Sequence, residues 1–411
     1  MRARLLLPLA AATAALLVGA LPAAAQQDDP QPPASPPPSI ERPGVYVDEL
    51  PGSDVIPSVS TAVTMIVGAG TTPTGQPGQA LEIGSVDDFE QLVQGPSVAL
   101  SGAVAQFFAQ GGQTARVQLV ADENAPTLQA ALSGPVADQH GWNMLVVPSM
   151  GALDQASWTQ VGQTMGTVAQ AQQAVAYLDP PSSVVQPGDA DWVVALTAAT
   201  APLQQSPAAS SMGILSSPLV VDGQSVSSAA AIAGMSAAKD TEDGVWSPPG
   251  GVGQPLAGGA TALVTADNDD AGVLRDGGIN PVMSVPGVGT VVYGDRTMTT
   301  ADGATQFMSC ERTLDMIRSS VSAALQPYVF EPNGPQAWSE VTASVTEFLT
   351  TLWQQGALEG ATASEAFTVD VGDGSAPTSA EDGGDLMVVQ MTVQLVDWAP
   401  IPLTLTQQTA S

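Results

Sequence analysis

Residues able to do chemistry are scarce in this chain. The one imidazole, His140 in the run DQHGWN, would have to serve as the general base of a serine hydrolase, yet no G-x-S-x-G turn presents a serine to it. It reads as a turn histidine placed directly before a strand. A single cysteine, Cys310, and a single histidine cannot close a zinc site, which needs several such ligands. The densest carboxylate run is Asp267-Asn268-Asp269-Asp270 with Gly272 after it. A calcium loop of the EF-hand kind needs an oxygen ligand where Ala271 stands and a bidentate Glu where Gly278 stands, so the run reads as a solvated turn into the next element. The Asp/Gly-rich runs DVGDG (370–374) and EDGGD (381–385) could hold cations only unspecifically. Gly287-Val288-Gly289 lies between two strands and lacks the rest of a dinucleotide fingerprint. No catalytic group, cofactor or metal is expected.

Composition narrows the partners. Charged residues are 12% of 411 and nearly all acidic, 40 Asp and Glu against 9 Lys and Arg, for a net charge of −31. A surface of that sign repels phosphate backbones and anionic headgroups, which excludes nucleic acid as a partner. Crowded carboxylates repel one another until salt screens them, so this composition, with Lys239 as its single lysine, fits adaptation to high salt; the plainer reading is a soluble acidic protein.

Arg2 and Arg4 precede an apolar run at 5–21, and Ala23-Ala24-Ala25 offers a small-residue cleavage site, the pattern of a secretory signal peptide over 1–25. Pro8, Pro22 and the shortness of the run argue against a membrane anchor, and no later run is long enough to insert once the leader is removed. The lone cysteine excludes an internal disulfide, so the fold must rest on packing. Residues 26–40 are proline-rich and read as an extended linker.

The elements that follow alternate. GVYVDEL (44–50) reads as a lone strand with Val45 and Val47 on one face, bounded by Pro43 and Pro51. Strands are expected at 61–69, 115–120, 143–147, 174–178 and 192–196, with a short turn capped by Ser85 and helices at 98–109 and 155–172. Strand and helix in turn imply a layered α/β fold, a mixed sheet flanked by helices. Phe307, Cys310, Leu314, Ile317, Val321 and Leu325 recur as one helical stripe, with Ser309, Arg312 and Arg318 expected to face outward. A second helix opens at Pro335 and carries Trp338, Val341, Val345, Phe348 and Leu352 on one face before Gly356. At the end, Met387, Val389, Met391, Val393 and Leu395 alternate with other residues in a long strand. Ile401, Leu403 and Leu405 alternate again in a piece that Pro402 marks as an edge strand.

Three blocks resemble the phage tail sheath family in order and spacing. They are AIAGMSAAKDTEDGVWSPPGG (231–251), GGINPVMSVPGVGTVVYGDRTMT (277–299) and YVFEPNGPQAWSEVTASVTEFLTTLWQQGALEGATASEAF (328–367). The likeness runs from 41 to 408 and is strongest after 226. It implies an α/β sheath core, part of it subtilisin-like in topology but without a triad, with extended N- and C-terminal arms that add strands to neighbouring subunits. On that reading residues 41–225 are the N-terminal arm and middle domain, 226–385 the C-terminal core, and 386–411 the C-terminal strand arm. Trp246, Trp338 and Trp353 fall in matched blocks or on apolar stripes, so they read as core and not as a carbohydrate platform. Trp246, Phe307, Leu314, Ile317, Trp338, Val345, Phe348 and Leu352 are the expected core residues.

The resemblance implies a structural subunit whose partner is itself, in a helical polymer, with an inner tube protein and a baseplate as further partners. Val45, Tyr46 and Val47 in one arm and Ile401, Leu403 and Leu405 in the other would then pair across subunits. The alternative for the arms is to fold back on their own sheet. The leader points to export and an extracellular or secreted filament; a tail or injection-system sheath assembled in the host cytoplasm ignores the leader, and a secreted hydrolase or monomeric binding protein explains only the leader.

Overall fold

A computed structural model describes residues 56–74, 80–301, 303–372, 386–395 and 401–408. The first half runs β1 (Val63–Ala69), β2 (Ala80–Ile83), α1 (Val86–Leu92), α2 (Val98–Ala109), β3 (Thr114–Val120), α3 (Ala125–Ala131), β4 (Met144–Val146), α4 (Gln155–Ala171), β5 (Val175–Leu178), α5 (Trp192–Gln204) and β6 (Met212–Leu215). Then come β7 (Leu219–Val221), β8 (Gln224–Val226), α6 (Ser228–Glu242), β9 (Thr261–Ala262), α7 (Asn268–Asp276), β10 (Ile279–Asn280), β11 (Val282–Val285) and β12 (Gly289–Val292). The chain closes with α8 (Met308–Leu325), α9 (Pro335–Gln354), α10 (Ala363–Ala366), β13 (Phe367–Gly372), β14 (Leu386–Val393) and β15 (Ile401–Gln408).

The main sheet has the order β10-β6-β5-β4-β1-β3-β2, and every neighbouring pair is parallel except β2 with β3. Its strands are covered on both faces, which is why they read as unbroken apolar runs and not as alternation. Met65, Leu145, Ala176 and Ile214 point into a core shared with Leu128 of α3, Trp158 of α4 and Leu196 of α5. Ile66, Met144, Val146 and Tyr177 point the other way, toward Leu100 and Phe107 of α2 and Ile232 of α6. The small residues of α6 let it come close to α2: a Cβ on Gly234 would lie 2.3 Å from the Phe107 carbonyl oxygen.

The expected strand at 192–196 is the first turn of α5. Trp192, Leu196, Ala199 and Leu203 are buried at helical spacing while Val194 is 69% exposed, a split that a strand would not give. A short apolar run cannot by itself distinguish a buried strand from a buried helix, and here length decides.

The C-terminal elements build a separate core. Leu314, Ile317 and Val321 of α8 meet Val345, Phe348 and Leu352 of α9 and the inward residues of β14. Trp246, Phe307 and Trp338 pack on its margin, half-buried. Helix α8 touches both β5 of the main sheet and β15 of the terminal one. That position explains why Ser309 and Arg312, expected on the outside, are 5% and 4% exposed: α8 is enclosed on both flanks, and only Arg318 of the three remains partly open.

Candidate assembly edge and the buried charges behind it

β13, β14 and β15 form an antiparallel sheet with β14 in the middle. The register places Phe367, Val393 and Ile401 in one row, Val369, Met391 and Leu403 in the next, and Val371, Val389 and Leu405 in the third. These rows face α8 and α9, with Val389, Met391 and Leu403 buried. The opposite face carries Thr368, Asp370, Gln390, Thr392, Thr404 and Thr406 with Val388 and Pro402 among them, so the sheet is apolar within and mainly polar without.

β15 is an edge strand and pairs along all eight residues with β14 of the same chain. Pro402, opposite Thr392, has no amide hydrogen, and a strand tolerates that only at an edge or a bulge. Among the described residues one side of β15 is paired and its other side has no strand beside it. Ile401, Leu403 and Leu405 all sit on the inward face of this strand. Val45, Tyr46 and Val47 lie outside the described residues, as do 381–385 and the leader and linker at 1–40. Beside β15, the turn after α8 presents Phe330 at 85% exposure.

Behind this sheet, α8 carries a buried polar cluster that periodicity did not reveal. Arg312 donates to both Asp240 oxygens of α6, at 3.0 and 2.5 Å, and to the Thr61 carbonyl at 3.0 Å. Burial opposes the Arg312 charge, but Asp240 more than offsets it and holds the guanidinium firmly protonated. Asp295 accepts from the Ser309 amide at 3.2 Å and its hydroxyl at 2.5 Å, and loss of hydration lifts its carboxyl to about 6. Glu311 accepts from Ser210 at 3.3 Å, and burial raises its pKa with Arg318 opposing. Asp315 accepts from Arg318 at 3.0 Å and is pushed up to about 8, first by burial and then by the charge of Glu311. The signal available in the sequence was the density of polar residues, SCERTLDMIRSS, along a helix otherwise striped with apolar ones.

The other chemistry candidates resolve into structure. His140 is exposed, with Nδ1 2.8 Å from Gln172, and its carbonyl accepts from Arg116 at 2.6 Å. Asp267 caps α7, accepting from the amides of Asp269 and Asp270 at 2.9 and 2.8 Å, and Asp270 reaches back to the Asp267 amide, so the run is a capping box. Gly287 to Gly289 is the turn of the β11–β12 hairpin, with φ of 79° and 122° at its two glycines. At the carboxyl end of β5, where α/β sheets often place ligands, Asp179 is buried and takes four donors from Ser227, Ser228 and Ala229 at the start of α6. That carboxylate anchors a helix N-terminus. Among the described residues there is no group of His, Cys, Asp and Glu that could hold a metal ion, and no helix long and apolar enough to cross a membrane.

Comparison with known proteins agrees with this architecture. Residues 300–403 match the phage tail sheath C-terminal domain. The tail sheath protein of Vibrio phage KVP40 is 29% identical over 126 residues, which is 30% of this chain but only 19% of that relative, so the chain matches about a fifth of its length. The helical sheath of the anti-feeding prophage in its contracted state is 28% identical and superposes with a TM-score of 0.69, covering 89% of this chain and 99% of that one. The contracted sheath of an extracellular contractile injection system, PVC, gives the same TM-score at 24% identity over 86% of this chain and 94% of that one, a likeness of fold. Residues 300–403 thus match the phage tail sheath C-terminal domain, and the chain is similar in sequence and in fold to sheath proteins of contractile tails and injection systems.

Proposed function

We propose that the chain is a structural subunit, not an enzyme, that polymerises with copies of itself into a helical tube by exchanging terminal strands. The observation that carries this is the terminal sheet: β15 is a full eight-residue edge strand, joined to β14 by the short run 394–400, with one side unpaired by any other described strand. An edge of that length pairs readily with another chain, and a short connection to an otherwise self-paired strand is the geometry from which strands are exchanged. The N-terminal residues Val45, Tyr46 and Val47 would supply the complementary arm. Similarity to a sheath complex, a helical sheath and a baseplate of contractile systems supports a homopolymer seated on a baseplate, and an inner tube is the further partner that the family resemblance implies.

The leader pattern at 1–25 favours an exported subunit, and the acidic composition favours assembly in concentrated salt. Electron microscopy of the full chain beside one ending at Pro400 tests the proposal. Ordered tubes from the full chain and none from the shortened one are expected; tubes of the same order from both would overturn it. Mass spectrometry of the native N-terminus tests export, since retention of Arg2 would leave a sheath assembled in the cytoplasm.

A further inference from the structure

Glu311 and Asp315 stand one turn apart on α8, 5% and 7% exposed, and each has one oxygen, Oε2 and Oδ2, with no donor among the described residues. Asp315 also lines a small, partly open space of about 10 Å³ with Thr61, Asn143, Gln173 and Arg312, and the Oδ1 of Asn143 is likewise buried without a donor. Two residues that each carry an orphaned acceptor therefore line one space about the size of a single water. A buried acceptor left without a donor is costly, and neither of these side-chain oxygens can supply the hydrogen the other lacks while Asp315 is ionised.

The local charges do not balance either. Acting on the pair are Arg312 and Arg318 from α8 itself and the Cys310 thiol beside Glu311, while Asp240 from α6, Asp295 from the loop after β12 and Tyr177 from β5 surround Arg312, which is already committed to Asp240 and Thr61. Four carboxyls, Asp240, Asp295, Glu311 and Asp315, thus share two guanidiniums. Fully ionised, the cluster would carry excess negative charge in a dry setting, and taking up a proton is the least costly remedy.

We propose that Glu311 and Asp315 form a proton-holding latch: in the folded subunit the pair keeps a proton that seats α8 between the main sheet and the terminal sheet, and losing it as pH rises loosens that seat. A proton on Asp315 gives Asn143 Oδ1 its missing donor, directly or through one water, and removes the repulsion along the helix. Burial weakens both Asp315 and Glu311 as acids, raising their pKa, in agreement with the geometry. A carboxyl whose pKa is higher in the fold than in the unfolded chain adds stability that is complete below the unfolded value, near ~4, and is lost as pH climbs through the folded value, here about 8 for Asp315. Because α8 also touches β15, the loosening reaches the strand that the proposed assembly would exchange. The latch belongs to the subunit and does not depend on how subunits join.

The test is urea unfolding of the full chain and of D315N and E311Q between pH 5 and pH 9, in about 1 M salt to screen the surface carboxylates. The wild-type unfolding constant is expected to rise about tenfold per pH unit per proton released as neutrality is passed. D315N, a neutral isostere, should flatten this rise, match wild type near pH 5 and exceed its stability above pH 8. Equal slopes in wild type and both variants would overturn the latch. Difference infrared spectroscopy of the wild type supplies a check that no substitution can spoil: a protonated carboxyl band at pH 7 that titrates away on alkalinisation is expected, and its absence would also overturn the proposal.

Discussion

Fixing β15 to its own chain separates exchange from mere folding back. Gln390 and Thr404 are directly opposite each other on the solvent face of the β14–β15 ladder. Pro402 has no amide hydrogen to give β14, and by the parity of a strand Thr404 shares its outward-pointing amide position, so Gln390 and Thr404 form a non-hydrogen-bonded pair. Such pairs have Cα atoms about 4.5 Å apart, within the range a disulfide spans. Q390C/T404C should therefore crosslink on oxidation without moving the backbone. The loop so closed runs from 390 to 404, and closing about 15 residues stabilises a fold by roughly 3 kcal/mol in the chain-entropy model. Cys310 will not interfere, being buried with its thiol raised to about 12 by burial and by Asp295. The oxidised variant should melt higher than wild type, stay monomeric by light scattering and form no tubes by electron microscopy, and a reductant should restore tubes. If the oxidised protein assembles with its intramolecular disulfide intact, β15 does not leave its own sheet, and exchange through this strand is refuted.

Three further outcomes follow from packing. Phe348→Ala, at a side chain 3% exposed against α8, should cost about 3–5 kcal/mol and lower the melting temperature in calorimetry; an unchanged melt would contradict the stripe assignment. Arg312→Met should destabilise by about 3–5 kcal/mol in urea because it strands the Asp240 carboxylate, and pairing it with Asp240→Leu should recover most of that loss. Gly234→Ala should separate α6 from α2, since the new methyl meets a backbone carbonyl that cannot swing aside; hydrogen exchange would show faster exchange along both helices, and unchanged protection would mean the backbones yield easily.

The family likeness, the α/β layering and the terminal strands were legible because they rest on local pattern. The Ser85 cap, a proline-opened α9 and a period of two in β14 all act within a few residues, and each is found where expected. What was not legible depends on partners far along the chain. The run at 192–196 is apolar in a way that suits either element, and only its continuation as far as Gln204 makes it helical. Arg312 and Ser309 look like surface residues on a helical wheel, and their burial follows from Asp240 and Asp295, which are 72 and 14 residues away. A periodicity argument sees the apolar stripe of α8 and is blind to a second, polar contact on its flank.

The eight-rung ladder between β14 and β15 also has a mechanical consequence. A pull along the strand direction loads every rung at once, so the join resists tension as a lap joint does, whereas a sideways tug opens one rung at a time like a zipper. Tubes stitched through such ladders would be stiff to stretching and weak to peeling, and would fail first where the last subunit has no neighbour to hold its free margin.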